Sequence, residues 1–240
     1  MAISTKEAVY KFKLSYDKLD SQDYPKMQLP QILIKLNEAQ NNVIRNYFTI
    51  NNLLKTGVQG DSLRLDEFSP ITILNNPYIT NIQAGIEKNQ YYIETKDLLF
   101  PYLHYLRGTA ICSEDNCEDI EASFIEYTLN DIDIALNNEN NSPSLLWGEI
   151  PLLRANDRFY FYTDGNFKID KVKIDYLRKP IEFDLPGYIK FDGTQSITSD
   201  SNLPDYFVED IIREAVSMAK ANLGAEDYQI AKSETISNTI

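Results

Sequence analysis

At 240 residues, with 43% hydrophobic and 25% charged residues, the chain is long enough to bury a substantial core and too apolar to stay disordered. Its formal net charge of −13 argues against binding a nucleic-acid backbone, because that affinity rests on Lys and Arg neutralising phosphates. A surface past which DNA slides without sticking remains compatible with such charge.

Residues 1 to 25 lack the apolar stretch of a signal peptide, and no run reaches the roughly 18 apolar residues of a membrane span. The sequence therefore predicts a chain made in a cytoplasm with no membrane segment. Ser4 and Glu7 form a capping-box pattern ahead of Val9, Phe12, Tyr16 and Leu19, which predicts a first short helix. Pro25 and Pro30 bracket a turn. Ile32, Leu33, Leu36, Ala39, Val43, Ile44 and Tyr47 then mark a second helix running to about Phe48.

Beyond this pair the apolar period changes to two. Leu63 and Leu65, Ile71 and Ile73, Tyr91 and Ile93, then Ile120, Ala122 and Phe124 read as strands, separated by turns such as TGVQGDS and NNPY. LNDIDIALNN, over 129–138, reads as a short helix lodged between strands. RFYFYTDGNFKIDKVKIDYLRKP (Arg158 to Pro180) reads as a hairpin turning at Asp164-Gly165. Two strands change apolar parity midway: Phe124 gives way to Ile125 and Tyr127, and Ile169 to Val172 and Ile174. Such slips predict bulges or bends and hence a curved sheet.

The last helix is LPDYFVEDIIREAVSMAKANLG (Leu203 to Gly224). Pro204 and three acidic residues suit its start, while Lys220 and Gly224 suit its end. Two apolar rows run along it, one of Phe207, Ile211 and Ala215 and one of Val208, Ile212, Val216 and Ala219, where an ordinary surface helix needs only a stripe of about 100°. The excess width predicts packing on two surfaces, with Val208, Ile212, Val216 and Ala219 meeting a neighbouring subunit, or the two rows exchanged. The remaining AEDYQIAKSETISNTI reads as a short helix and a tail. Together these elements predict an α+β protein. N- and C-terminal helices (1–56 and 201–240) form a helical layer, and residues 57–200 form an inserted, curved antiparallel β-sandwich or barrel-like unit.

Motifs for catalysis are missing: there is no G-x-S-x-G, no phosphate-binding glycine loop and no H-E-x-x-H. Cys112 and Cys117, in ICSEDNCED, are expected to be free thiols, and a zinc site lacks ligands because His104 is the single histidine. Glu114, Asp115, Glu118, Asp119, Glu121, Asp131 and Asp133 are acidic enough for Ca²⁺ or Mg²⁺ but fit no EF-hand spacing. No metal and no cofactor is expected. Sixteen tyrosines suit sugar stacking, strands or subunit interfaces, and with Trp147 the single tryptophan the interface reading is preferred.

YDKLDSQDYP and LNEAQNNVIRNYF in the N-terminal helices, a β middle ending in KIDYLRKPIEF, and LPDYFVEDIIREAVSMAKANLG in that order resemble head-to-tail connector proteins of tailed bacteriophages, in particular neck ring proteins of crAss-like phages. The resemblance implies a structural virion protein and no enzyme. It implies a homo-oligomeric ring, typically of twelve subunits, that contacts the portal protein and other neck or tail rings and extends the DNA channel without binding DNA specifically. A tail-associated receptor- or carbohydrate-binding protein is the alternative, using the tyrosines. A hydrolase built on Asp131 or Asp133 is a third reading.

Overall fold

A computed structural model describes residues 3–16, 26–48, 68–114, 117–138 and 142–221. Along the chain these form α1 (Thr5–Tyr16), α2 (Leu29–Phe48), β1 (Thr72–Ile73), β2 (Gln83–Ala84), β3 (Gln90–Glu94), β4 (Tyr102–Glu114), β5 (Cys117–Tyr127), α3 (Ile132–Asn137), β6 (Glu149–Ala155), β7 (Arg158–Tyr162), β8 (Phe167–Arg178) and α4 (Asp205–Ala221). The chain divides into two compact units: 72–179 is one, and the residues before 72 together with those from 180 on are the other. Among the described residues the fold is α+β, with four helices and an eight-stranded sheet curled into a half-barrel. The expected strand at Leu63 and Leu65, together with Leu223, Gly224 and the tail, lies outside the described residues.

In the helical unit, Ser4 Oγ accepts the Glu7 N–H at 3.3 Å at the start of α1. A second anchor comes from far along the chain: Asp200 Oδ1 accepts the Thr5 N–H at 2.6 Å. Phe12 and Tyr16 stack on one face of α1, their ring centroids 5.8 Å apart. α4 packs on both α1 and α2, and Phe207 on α4 meets Tyr47 of α2 and Phe68, each at a centroid distance of 5.0 Å. Segment 180–200, expected in the β unit, belongs to the helical unit instead. Polar side chains on α2 hold its backbone: Asn37 donates to the Phe183 carbonyl and accepts its N–H, at 3.1 and 2.8 Å, and Gln40 donates to the Ile181 carbonyl at 3.1 Å.

The sheet unit has strand order β1-β8-β4-β5-β6-β7-β3-β2. The expected hairpin of β7 with β8 does not form: β7 pairs with β6 and β3, whereas β8 pairs with β1 and β4. Asp164-Gly165 is still a tight turn, with Gly165 at φ +92° and the Asp164 carboxylate accepting the Asn166 N–H at 2.8 Å. It turns the chain from one strand of the curl to another four places away in the order. The tight hairpin is instead β6–β7, closed by Asn156 and Asp157, both at positive φ (50° and 57°) as a type I′ turn requires.

The sheet is mixed, because β5 and β6 run parallel. That pairing requires a crossover, and residues 128–148 with α3 provide it. Curvature comes chiefly from irregular pairing of β4 with β8, whose register shifts three times. One shift lies between Ile111 and Cys112 opposite Lys171 and Ile169, where the apolar parity of β8 slips as expected. In β5 the pairing stays in register across Phe124 and Ile125, where the apolar parity changes; its irregularity lies nearer the start, between Cys117 and Ile120 opposite Glu114 and Cys112. There both faces are covered: Ala122 and Phe124 join the main core, while Tyr127 packs against the cluster of Ile132, Leu153 and Tyr162 beneath α3. Inside the curl Phe124 and Phe161 stack at 4.6 Å, and Phe124 lies over Gly108, where a Cβ would come 2.7 Å from its ring. Tyr176 closes one margin by accepting the Phe100 N–H at 2.8 Å and donating to the Phe100 carbonyl at 3.0 Å.

Candidate functional site

The row expected to meet a neighbouring subunit is closed. Val208, Ile212, Val216 and Ala219 are 0%, 4%, 6% and 4% exposed within the single chain, as deeply buried as Phe207, Ile211 and Ala215. The width of the α4 face is used up by α1 and α2 on its own side of the molecule. A partner subunit could reach those four residues only by opening the fold, so a partner must use another surface.

Of the residues weighed for chemistry, Asp115 lies outside the described residues, and the others do not converge. Cys112 is buried on β4 and Cys117 exposed on β5; both are free thiols. Burial, helped by the Asp170 charge, pushes the Cys112 thiol up to about 12. His104 is half-buried on β4. Glu118, Asp119 and Glu121 are exposed along β5, and Lys171 lies 3.8 Å from Asp119. Asp131 accepts a hydrogen bond from the Thr128 hydroxyl at 2.5 Å, in the turn that starts α3, and Asp133 is exposed in the first turn of that helix. Among the described residues no three His, Cys, Asp or Glu side chains are grouped to hold a metal ion, and no helix is long and apolar enough to cross a membrane.

The charged cluster on the sheet is structural. Arg154, on the same face as Phe159, donates to Glu126 at 2.6 Å and to the Tyr102 hydroxyl at 2.8 Å, with its guanidinium 5.6 Å from the Tyr105 ring centre. Burial pushes the Tyr105 hydroxyl well above the usual phenol range, and that hydroxyl has no hydrogen-bond partner. Arg154 is already matched by Glu126, so little charge is left for a ligand.

What stands out is apolar surface lifted into water. Between β6 and the crossover, Leu145 turns inward onto the sheet core, whereas Leu146 and Trp147 point out, 86% and 70% exposed. The loop is built for this: the Leu146 N–H is held by Ser144 Oγ at 3.1 Å, and Gly148 takes φ +64°. In the helical unit, residues 184–199 form a finger rooted by an Asp184–Ser199 bridge, with a second bridge between Ile189 and Gln195. Phe191 at its tip is fully exposed, and Ile189 and Ile197 are exposed beside it. Sequence reading missed the finger because its apolar residues, at 189, 191 and 197, are too sparse to form a strand pattern. The paired glycines at 187 and 193 were the available signal, and both stand at positive φ.

No protein-family model matches the chain, and no curated protein matches it significantly.

Proposed function

We propose that the protein is a structural subunit of a homo-oligomeric ring, of the kind found in the neck or tail of a tailed phage virion, connecting the portal to the tail and lining a DNA channel. The observation that carries this reading is the placement of large apolar side chains on two built loops, Leu146–Trp147 and Ile189–Phe191–Ile197. Exposed clusters of this kind mark interaction sites. The acidic surface suits a channel through which DNA passes unbound. The order of motifs along the chain supports the phage assignment.

In this reading the helices at the two ends of the sequence supply the ring's helical layer, and the sheet unit is the insertion between them. The subunit contact falls on the two exposed loops and not on α4. Negative-stain imaging of the purified chain tests the reading: closed rings are expected. A monomer that is stabilised by an oligosaccharide and forms no ring would favour a carbohydrate-binding tail protein instead.

A further inference from the structure

The finger is too short to hold itself. Above the root its strands share the bridge at Ile189 and Gln195 and a bond from the Tyr188 N–H to Ser196 Oγ at 3.1 Å, and a two-stranded hairpin of this size is marginal in water. Yet it is joined at one point by a single carboxylate. Asp184 is 3% exposed, and its Oδ1 accepts the Leu185 N–H and the Tyr188 hydroxyl, each at 2.9 Å. Its Oδ2 accepts the Ile197 N–H at 3.1 Å and lies 2.8 Å from Lys190 Nζ. A carboxylate has about four acceptor sites, and here all are taken by donors from both strands of the finger. Asp184 is itself set in place, since Asn37 of α2 grips both backbone groups of Phe183.

We infer that Asp184 is the positioning residue that holds residues 185–198 in their projecting form, a conformational device that presents Phe191 at a preset place. The device concerns the free chain and does not depend on the ring reading. Its special demand is an acceptor with no hydrogen of its own. An asparagine at this place keeps the size but turns an NH₂ toward two of the donors, so isosteric replacement must loosen the finger. The apex turn is separate: Asp192 accepts the Thr194 N–H at 2.9 Å and its hydroxyl at 2.7 Å, and that contact reaches no further than the tip.

Amide hydrogen exchange on the full chain tests this. In Asp184→Asn the amides of Leu185, Ser196 and Ile197 should exchange about tenfold faster or more, and trypsin should cut after Lys190 correspondingly sooner, while helical circular dichroism is unchanged. Unchanged exchange in a folded Asp184→Asn protein would overturn the inference. Should that variant fail to fold, the double variant Tyr188→Phe/Lys190→Gln removes one donor from each oxygen and decides by the same exchange measurement: faster exchange confined to 185–198 supports the device, and none overturns it. Asp192→Ala should speed exchange only at Gly193 and Thr194. Loosening of the root to the same extent in Asp192→Ala would also overturn the inference.

Discussion

At the scale of single residues, the two cysteines differ by environment alone. Cys112 lies inside the curl with its thiol held protonated far above neutral pH, and Cys117 is exposed. A thiol reagent at pH 8 should therefore label Cys117 in the native protein and reach Cys112 only after denaturation; labelling of both at the native rate would contradict the burial. Gly108 is required by the ring above it. Its alanine variant brings a Cβ to 2.7 Å from Phe124 and 2.9 Å from the Lys173 carbonyl oxygen, and overpacking of this kind costs about 1 to 3 kcal/mol. A lowered thermal midpoint is expected, and an unchanged one would mean the ring moves aside freely. Asp184 carries the pH dependence of the finger. Burial works against its charge, but Lys190, the Ile197 N–H and the Tyr188 hydroxyl together outweigh that and hold its carboxyl below the ordinary 3.8. A depressed carboxylate contributes stability that is fully present above the unfolded value and lost as pH falls through the folded one. Exchange protection at Ile197 should thus be flat from neutral pH down to about 4, and fail only below it.

At the scale of elements, α4 was the most legible part of the sequence, and also the source of the clearest error. Its two apolar rows, its acidic start and its place beside the N-terminal helices follow from period and charge. Face width alone does not say whether a second surface is supplied by another chain or by a second helix of the same one, and here α1 and α2 both lie on α4. Consequently Ile211→Asp and Ile212→Asp should behave alike. Each places a charge among buried apolar side chains, and each is expected to cost several kcal/mol and unfold the helical unit, read by circular dichroism at 222 nm. A folded, soluble Ile212→Asp monomer would restore the original reading of that face.

The sheet was legible as a set of strands and hidden as a topology. Asp164-Gly165 carries the residues of a hairpin turn, and the local turn does form. Local chemistry cannot say which strands pair, and in a curled sheet consecutive strands can end far apart in the order, as β7 and β8 do. Asn156-Asp157 carries the weaker signal and makes the true hairpin, because both residue types tolerate positive φ. The sheet also guards its margin. β8 is covered along part of its outer edge by β1 and by the bridge from Ile79 to Val172, and the stretch before them carries Lys168, Lys171 and the register slip at Asp170. Charged side chains and bulges at an edge discourage further strand pairing. Under the ring proposal, subunits would then meet through side chains on loops, with this sheet edge left out.

At the scale of the whole molecule, composition pointed to a folded acidic protein with few parts for catalysis, and the ring is what the resemblance to phage connector proteins implies. The surface that would build such a ring was not legible, since Leu146 and Trp147 continue a short apolar run from the inward-facing Leu145 and Phe191 stands alone in its loop, with no periodicity to distinguish them from buried residues. Burying a side chain such as Phe191 is worth about 1.5 to 3 kcal/mol, and a closed ring repeats that contribution at every interface. One charged substitution at the tip is then felt by the entire assembly while leaving each subunit's core untouched. Mass photometry of the wild-type chain beside Phe191→Asp and Trp147→Asp tests this most directly. The ring reading predicts a single species at a large multiple of the 27.6 kDa chain that falls to monomer in at least one of the two folded variants. A wild-type protein that stays at 27.6 kDa at micromolar concentration, or a multimer indifferent to both substitutions, would contradict it.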